Sequence, residues 1–188
     1  MADTATQEVL EEESVATNAE PTEGKSASYM SATLNRDDLM QLVTLILGEE
    51  EYGLPIASVQ EIIRMRNVKI TAIPNAPGFI EGVINLRGRM IPVVDLRTKF
   101  GMEQQERGRS NRIVVTNIDE RTIGLVVDAV VEVVRVARDE LEVLPDLVTG
   151  VGADYIKGVT RIDERMIIVL DIDSMFSSTE TDSIDEID

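Results

Sequence analysis

Phe79-Ile-Glu-Gly-Val-Ile-Asn-Leu-Arg-Gly-Arg-Met-Ile-Pro-Val-Val-Asp-Leu-Arg-Thr-Lys-Phe100 returns 76 residues later as Tyr155-Ile-Lys-Gly-Val-Thr-Arg-Ile-Asp-Glu-Arg-Met-Ile-Ile-Val-Leu-Asp-Ile-Asp-Ser-Met-Phe176. Nine of the 22 aligned positions are identical, among them Gly82/Gly158, Arg89/Arg165, Val93/Val169, Asp95/Asp171 and Phe100/Phe176. A shift of 71 carries the upstream stretch Tyr52-Gly-Leu-Pro-Ile-Ala-Ser-Val-Gln-Glu-Ile-Ile63 onto Ile123-Gly-Leu-Val-Val-Asp-Ala-Val-Val-Glu-Val-Val134, so the second copy holds five additional residues between its blocks. A period of roughly 20–50 residues would indicate a solenoid or propeller. The longer spacing here indicates a duplicated subdomain, with a quasi-symmetric seam between the copies.

Working outward from that repeat, the chain reads as strands. Residues 80–86 and 90–96 are apolar, β-branched runs joined at Arg87-Gly88-Arg89, whose glycine suits a tight turn. Upstream, 41–48 and 52–56 are β-rich runs broken by Glu49-Glu50-Glu51, and 68–73 is a third run that ends at Pro74-Asn-Ala-Pro-Gly78. A short helical turn is expected at 97–100, closed by Gly101. The second copy gives strands at 112–118, 122–127, 132–136, 156–162 and 166–172. Five short strands per copy, almost no helix and glycines inside strands point to small curled sheets or barrels, a closure that removes exposed edges. The turns are where the copies differ most: Asn85-Leu-Arg-Gly88 stands opposite Arg161-Ile-Asp-Glu164. That divergence fits modules presenting different surfaces, and it equally fits free drift of turn sequences.

Composition removes whole classes of function. The chain has no His, Cys or Trp, so Ser-His and Cys-His nucleophiles, the usual zinc sites, a phosphorelay histidine and disulfides are excluded. Of the net charge of −17, residues 1–40 carry −7 and residues 177–188 carry −5, which leaves −5 for the middle. An acidic chain without a basic stripe offers nucleic acid or anionic lipid nothing with which to release counterions. No secretory signal and no apolar run of the roughly 20 residues that span a bilayer are visible, so a cytoplasmic soluble protein is expected. Residues 1–38 read as a disordered acidic arm, with a weak helix around 7–15 as an option, because they hold too few large apolar groups to offset the entropy of folding. Residues 39–177 form the folded part, with copies at about 41–101 and 112–176, and 178–188 form an acidic tail.

Three candidate sites follow. Asp95 and Asp171 occupy equivalent strand ends, and one aspartate per lobe is what an acid hydrolase dyad requires. Neither is followed by a glycine, and the competing reading makes each a cap of the turn after it. The glycines Gly82, Gly88, Gly150, Gly152 and Gly158 match neither a phosphate loop nor a dinucleotide fingerprint and read as bends. The stripes Val59–Glu61–Ile63 and Val130–Glu132–Val134 each share a face if extended. Such a face is either a partner surface, with the glutamate near solvent, or core with the glutamate at a barrel rim. Arg87, at the tight turn, is either a solvated turn residue or the partner of Glu61, bracing that stripe.

The stretch Pro74-Asn-Ala-Pro-Gly-Phe-Ile-Glu-Gly-Val-Ile-Asn-Leu-Arg-Gly-Arg-Met-Ile-Pro-Val-Val-Asp-Leu-Arg97 resembles the CheW family of bacterial chemotaxis coupling proteins. Glu50-Glu-Tyr-Gly-Leu-Pro-Ile-Ala-Ser-Val-Gln-Glu-Ile-Ile63, Gly124-Leu-Val-Val-Asp-Ala-Val-Val-Glu-Val133 and Tyr155-Ile-Lys-Gly-Val159 are similar to it too, and the resemblance covers about 41–177. It implies an all-β fold of two tandem, intertwined SH3-like five-stranded barrel subdomains. It also implies a non-enzymatic adaptor that joins the cytoplasmic helical tips of chemoreceptors to the histidine kinase CheA, through that kinase's own CheW-like regulatory domain. Carried over by motif, Val59, Glu61, Arg87, Val130 and Val133 are expected to bind the receptor in a groove between subdomains. Gly82 and Gly88 would have structural roles beside it, Gly82 by keeping its strand close to its neighbour. No cofactor, metal, nucleic acid or nucleotide is expected, and no direct membrane insertion. The protein would sit in the cytoplasm, held at receptor arrays by its partners. The ATP-binding domain of the kinase and a receiver domain of the CheV type are both missing from the sequence, so a free-standing coupling protein is expected. An acid hydrolase built on Asp95 and Asp171 is the competing reading.

Overall fold

The structure, a computed structural model, describes residues 38–118, 121–143, 153–176 and 180. The N-terminal arm with its 7–15 helix, and all of the C-terminal tail except Glu180, lie outside the described residues.

The described residues form ten strands: β1 Leu39–Leu47, β2 Glu50–Pro55, β3 Val59–Arg64, β4 Ile80–Leu86, β5 Arg89–Asp95, β6 Arg112–Ile118, β7 Arg121–Val127, β8 Ala129–Ala137, β9 Ile156–Ile162 and β10 Arg165–Leu170. One α-helical turn, α1 Leu96–Lys99, follows β5. The strands form two five-stranded sheets, ordered β8-β1-β2-β10-β9 and β3-β6-β7-β5-β4. Replacing each strand by its counterpart in the other copy turns one order into the other, so the two sheets are related by the duplication.

The intertwining is an exchange of strands. The first sheet takes β1 and β2 from copy one and β8, β9 and β10 from copy two, and the second sheet takes the reverse set. Hairpin neighbours pair antiparallel; of the joints between copies, β1 with β8 and β3 with β6 are antiparallel, while β2 with β10 and β5 with β7 are parallel. Even the irregularities repeat. The register slips at Gln60 between β3 and β6, and at the equivalent place between β8 and β1.

Each sheet buries both faces, and that explains why runs such as Leu42–Leu47 do not alternate. One face closes a lobe's own core: Leu42, Val134, Val136, Ile167 and Val169 in the first lobe, and Ile84, Ile91, Val93, Ile113, Val115 and Val126 in the second. The other face meets the partner lobe in a larger cluster that includes Leu45, Leu54, Val94, Leu96, Leu125, Leu170 and Met175. Successive residues in β5 divide between these duties, Val93 packing into its lobe and Val94 into the seam.

The expected strand at 68–73 is a correction: copy one's third strand is β3, and 68–73 contributes only a single bridge, Thr71 to Val83. The prolines at 74 and 77 end the segment before a second pair forms. The bridge has a counterpart in Glu142 to Val159, so each lobe has an arm laid across its outer strand at one point. Both crossings lie beside a glycine. A Cβ on Gly82 would sit 2.2 Å from the Thr71 carbonyl oxygen, and one on Gly158 would sit 2.6 Å from that of Glu142. At Gly82 the close backbone approach is to this arm.

Candidate partner-binding surface

Asp95 is a helix cap. Its Oδ1 accepts the Arg97 amide at 2.9 Å, its Oδ2 accepts the Thr98 hydroxyl at 3.2 Å, and Arg107 Nη2 donates to the same oxygen at 2.6 Å. Asp171 accepts the hydroxyl of Ser174, the counterpart of Thr98, at 3.0 Å. The buried Asp95 has its oxygens committed to these donors, and the hydrolase reading has no geometric support. Among the described residues no group of three or more acidic side chains is arranged to hold a metal ion.

The stripe residues sit on the outermost strands. β3 alternates half-buried and exposed, with Val59, Glu61 and Ile63 on its covered side. Val59 and its counterpart Val130 both pack on the interlobe cluster, Ile63 packs into its own lobe, and Val134 is buried. Ile63 and Val134 thus belong to the lobe cores, while Val59 and Val130 stay half-buried beside the glutamates. The apolar groups that reach solvent have the opposite parity: Ile62 at 43 % exposure, Val131 at 49 % and Val133 at 52 %. Of these the sequence reading named Val133 alone. Counterparts Met90 and Met166, at the starts of β5 and β10, are exposed as well.

Arg87 Nη2 lies 3.1 Å from Glu61 Oε2. β3 and β4 are the two ends of one sheet, so this pair reaches across the barrel's open side, from the β4–β5 turn to the outer edge of β3. The turn that carries Arg87 is tight because Arg87 (φ 54°) and Gly88 (φ 86°) are both left-handed, with the Gly88 amide donating to Asn85 Oδ1 at 3.0 Å. The Arg87 side chain is 79 % exposed, so the pair fixes geometry more than it adds stability, contributing about 0–1 kcal/mol.

The other lobe closes the same gap with different residues. Glu132 is the counterpart of Glu61, but the counterpart of Arg87 is Asp163, which cannot pair with it. Arg165 takes over, donating to Glu132 Oε1 at 2.7 Å and to Glu51 Oε1 at 3.2 Å. The hydrogen bond it donates to Glu132, followed by the Glu51 charge, raises the guanidinium pKa further above its ordinary value. The first lobe thus offers acids, Asp163 and Glu164, at its turn, whereas the second offers the cation Arg87 beside the half-buried Val59. Val59, Glu61 and Arg87 form one group on the second lobe. Val130 reaches the seam from the first lobe, and Val133 stands out from the solvent side of β8.

The family model of the CheW-like domain matches residues 41–180. The chemotaxis protein CheW of Treponema pallidum is 36 % identical over 77 % of this chain and 86 % of its own length. That of Klebsiella aerogenes is 35 % identical over 78 % and 87 %. The crystal structure of the scaffolding protein TtCheW from Thermoanaerobacter tengcongensis is similar with a TM-score of 0.68 and 38 % identity, covering 75 % of this chain and 90 % of that one. With a match of that breadth and the fold shared, the chain belongs to the CheW family.

Proposed function

We propose that this chain is a non-enzymatic adaptor of chemotaxis signalling, which couples the cytoplasmic helical tips of chemoreceptors to the histidine kinase CheA. The observation that carries this reading is the family match across the whole described fold, with a CheW scaffolding protein among its structural neighbours. The receptor's helical tip docks where the lobes meet, on Val59, Glu61, Arg87, Val130 and Val133. The ion pair Glu61–Arg87 supports this placement, because it presents a pre-set charge pattern beside a half-buried valine, and a rim of that kind orients a partner's apolar side chains. The kinase is held through its own CheW-like regulatory domain. An adaptor changes kinase activity only by contacting the active and inactive arrangements unequally, so its output is a coupling free energy and not a reaction. No helix among the described residues is long and apolar enough to cross a membrane, which fits a cytoplasmic protein held at receptor arrays by its partners.

The test is calorimetric titration of the protein into the isolated regulatory domain of CheA and, separately, into a soluble receptor-tip fragment. Saturable binding to both, on the order of micromolar, is expected. Arg87→Asp places two acids together at the rim, and it should weaken receptor binding at least tenfold while kinase binding and the melting temperature are kept. Equal loss toward both partners would refute the assignment of this rim to the receptor, and absence of binding to either would refute the adaptor reading.

A further inference from the structure

Lys99, the last residue of α1, is buried to 2 % side-chain exposure, an unusual place for an ammonium. Three aromatic rings surround its Nζ: Phe79 at 4.6 Å, Phe176 at 4.9 Å and Tyr155 at 5.2 Å from the ring centroids. The cage belongs to the seam, since Phe79 comes from copy one while Tyr155 and Phe176 come from copy two. Phe79 packs against Phe176 across the duplication, and Tyr155 is backed by Phe100 of copy one. The charge is met by Glu180, whose Oε1 lies 2.5 Å from Nζ.

Copy two shows that the fold does not need a cation here. The counterpart of Lys99 is Met175, fully buried in the interlobe cluster. An unbranched apolar side chain therefore fills the equivalent position without the desolvation cost that a buried ammonium carries. Lysine brings the ability to bind a carboxylate, and the carboxylate it binds lies beyond the repeat, which ends at Phe176. We propose that the Lys99 cage is a carboxylate-binding site at the lobe seam, whose resident ligand is the chain's own Glu180, from beyond the repeat. The aromatic faces hold the ammonium in place and Glu180 completes its coordination. Because the cage walls come from both copies, Glu180 is bound where the two lobes meet. This inference goes beyond the adaptor reading and does not depend on it.

The test uses the full chain with Glu180→Gln, Lys99→Met (the residue copy two uses) and the double variant. Two readouts are followed: the melting temperature, and acetic anhydride labelling of Lys99 relative to Lys157. Glu180→Gln should lower the melting temperature by roughly 5–10 °C and raise relative Lys99 labelling about tenfold. With methionine at 99, adding Glu180→Gln should have almost no effect. The proposal is overturned if Glu180→Gln leaves Lys99 labelling at the wild-type rate, or if its thermal effect is equal in the two backgrounds. Should Lys99→Met fail to fold, the labelling of Glu180→Gln alone decides.

Discussion

Glycines 82, 88 and 158 separate two reasons for lacking a side chain. Gly88 meets nothing within 4 Å of an added Cβ, so its need is conformational, a φ of 86° in a two-residue turn. Gly158 faces the Glu142 carbonyl without a left-handed φ, so its need is space. Gly82 has both needs at once, φ 147° and a carbonyl oxygen 2.2 Å from where Cβ would lie. Left-handed strain costs an ordinary residue roughly 1–2 kcal/mol, and a backbone clash adds to it because a bridge cannot shift as a side chain can. Gly82→Ala should therefore cost about 2–3 kcal/mol, and Gly88→Ala about 1 kcal/mol. Urea unfolding of both variants checks the order. Equal costs would mean that the arm at Thr71 gives way freely, and that its two hydrogen bonds with Val83, at 2.9 Å each, hold little.

At the scale of elements, the clearest case is the tie between the β1–β2 hairpin, α1 and the β7–β8 corner. Arg97 Nε bonds both oxygens of Asp128 at 2.9 Å, and its Nη2 reaches Oδ2 at 2.7 Å, while the Gly48 amide donates to the same oxygen at 2.8 Å. Burial acts to raise the Asp128 carboxyl. The Arg97 hydrogen bonds, the Gly48 amide and the charges of Arg97 and Arg107 outweigh it and hold the group below the usual carboxylate range. A lowered folded value means that the contribution is complete above the unfolded pKa of about 3.9 and is lost as pH falls through the folded one. Asp128→Asn should therefore cost roughly 2–3 kcal/mol at pH 7 and flatten the acid limb of the stability curve below pH ~4. Glu81 acts in the opposite direction: burial, then the nearby Asp95 charge, raise its carboxyl despite Arg107, so it favours the fold on acidification. A variant with the wild-type acid limb would place the acid sensitivity elsewhere. The hairpins, the Asp95 cap and the Glu61–Arg87 pair were legible in the sequence because each is local or follows from one charge and one turn. β3 was missed although the repeat contained it, since Val59–Ile63 aligns with Val130–Val134, inside β8. The competing run at 68–73 was equally apolar, and only its single bridge shows that it is an arm. The exposed Ile62 and Val131 were missed for a related reason. Glu61 and Glu132 suggested that their own face met solvent, whereas each glutamate lies at a rim, held by an arginine from outside its own strand.

At the scale of the molecule, the repeat shows two copies, and only the family resemblance implies that they intertwine, because pairing between distant strands leaves no local signature. The consequence is specific. β1 and β2 need β8 and β10 beside them, and β6 and β7 need β3 and β5, so neither copy contains the neighbours that its first hairpin requires. A two-stranded hairpin without neighbours is marginal at best in water, and the seam residues Val94, Leu125 and Leu170 would be left in solvent. Fragments 34–104 and 105–188, made separately, should therefore each lack a cooperative melt. Mixed in equal amounts they should recover the β-sheet circular dichroism spectrum and a single thermal transition whose midpoint rises with concentration, as association requires. A cooperative transition in either fragment alone would show that a copy can close on itself. The exchange would then be one of two available pairings, and not a condition of folding.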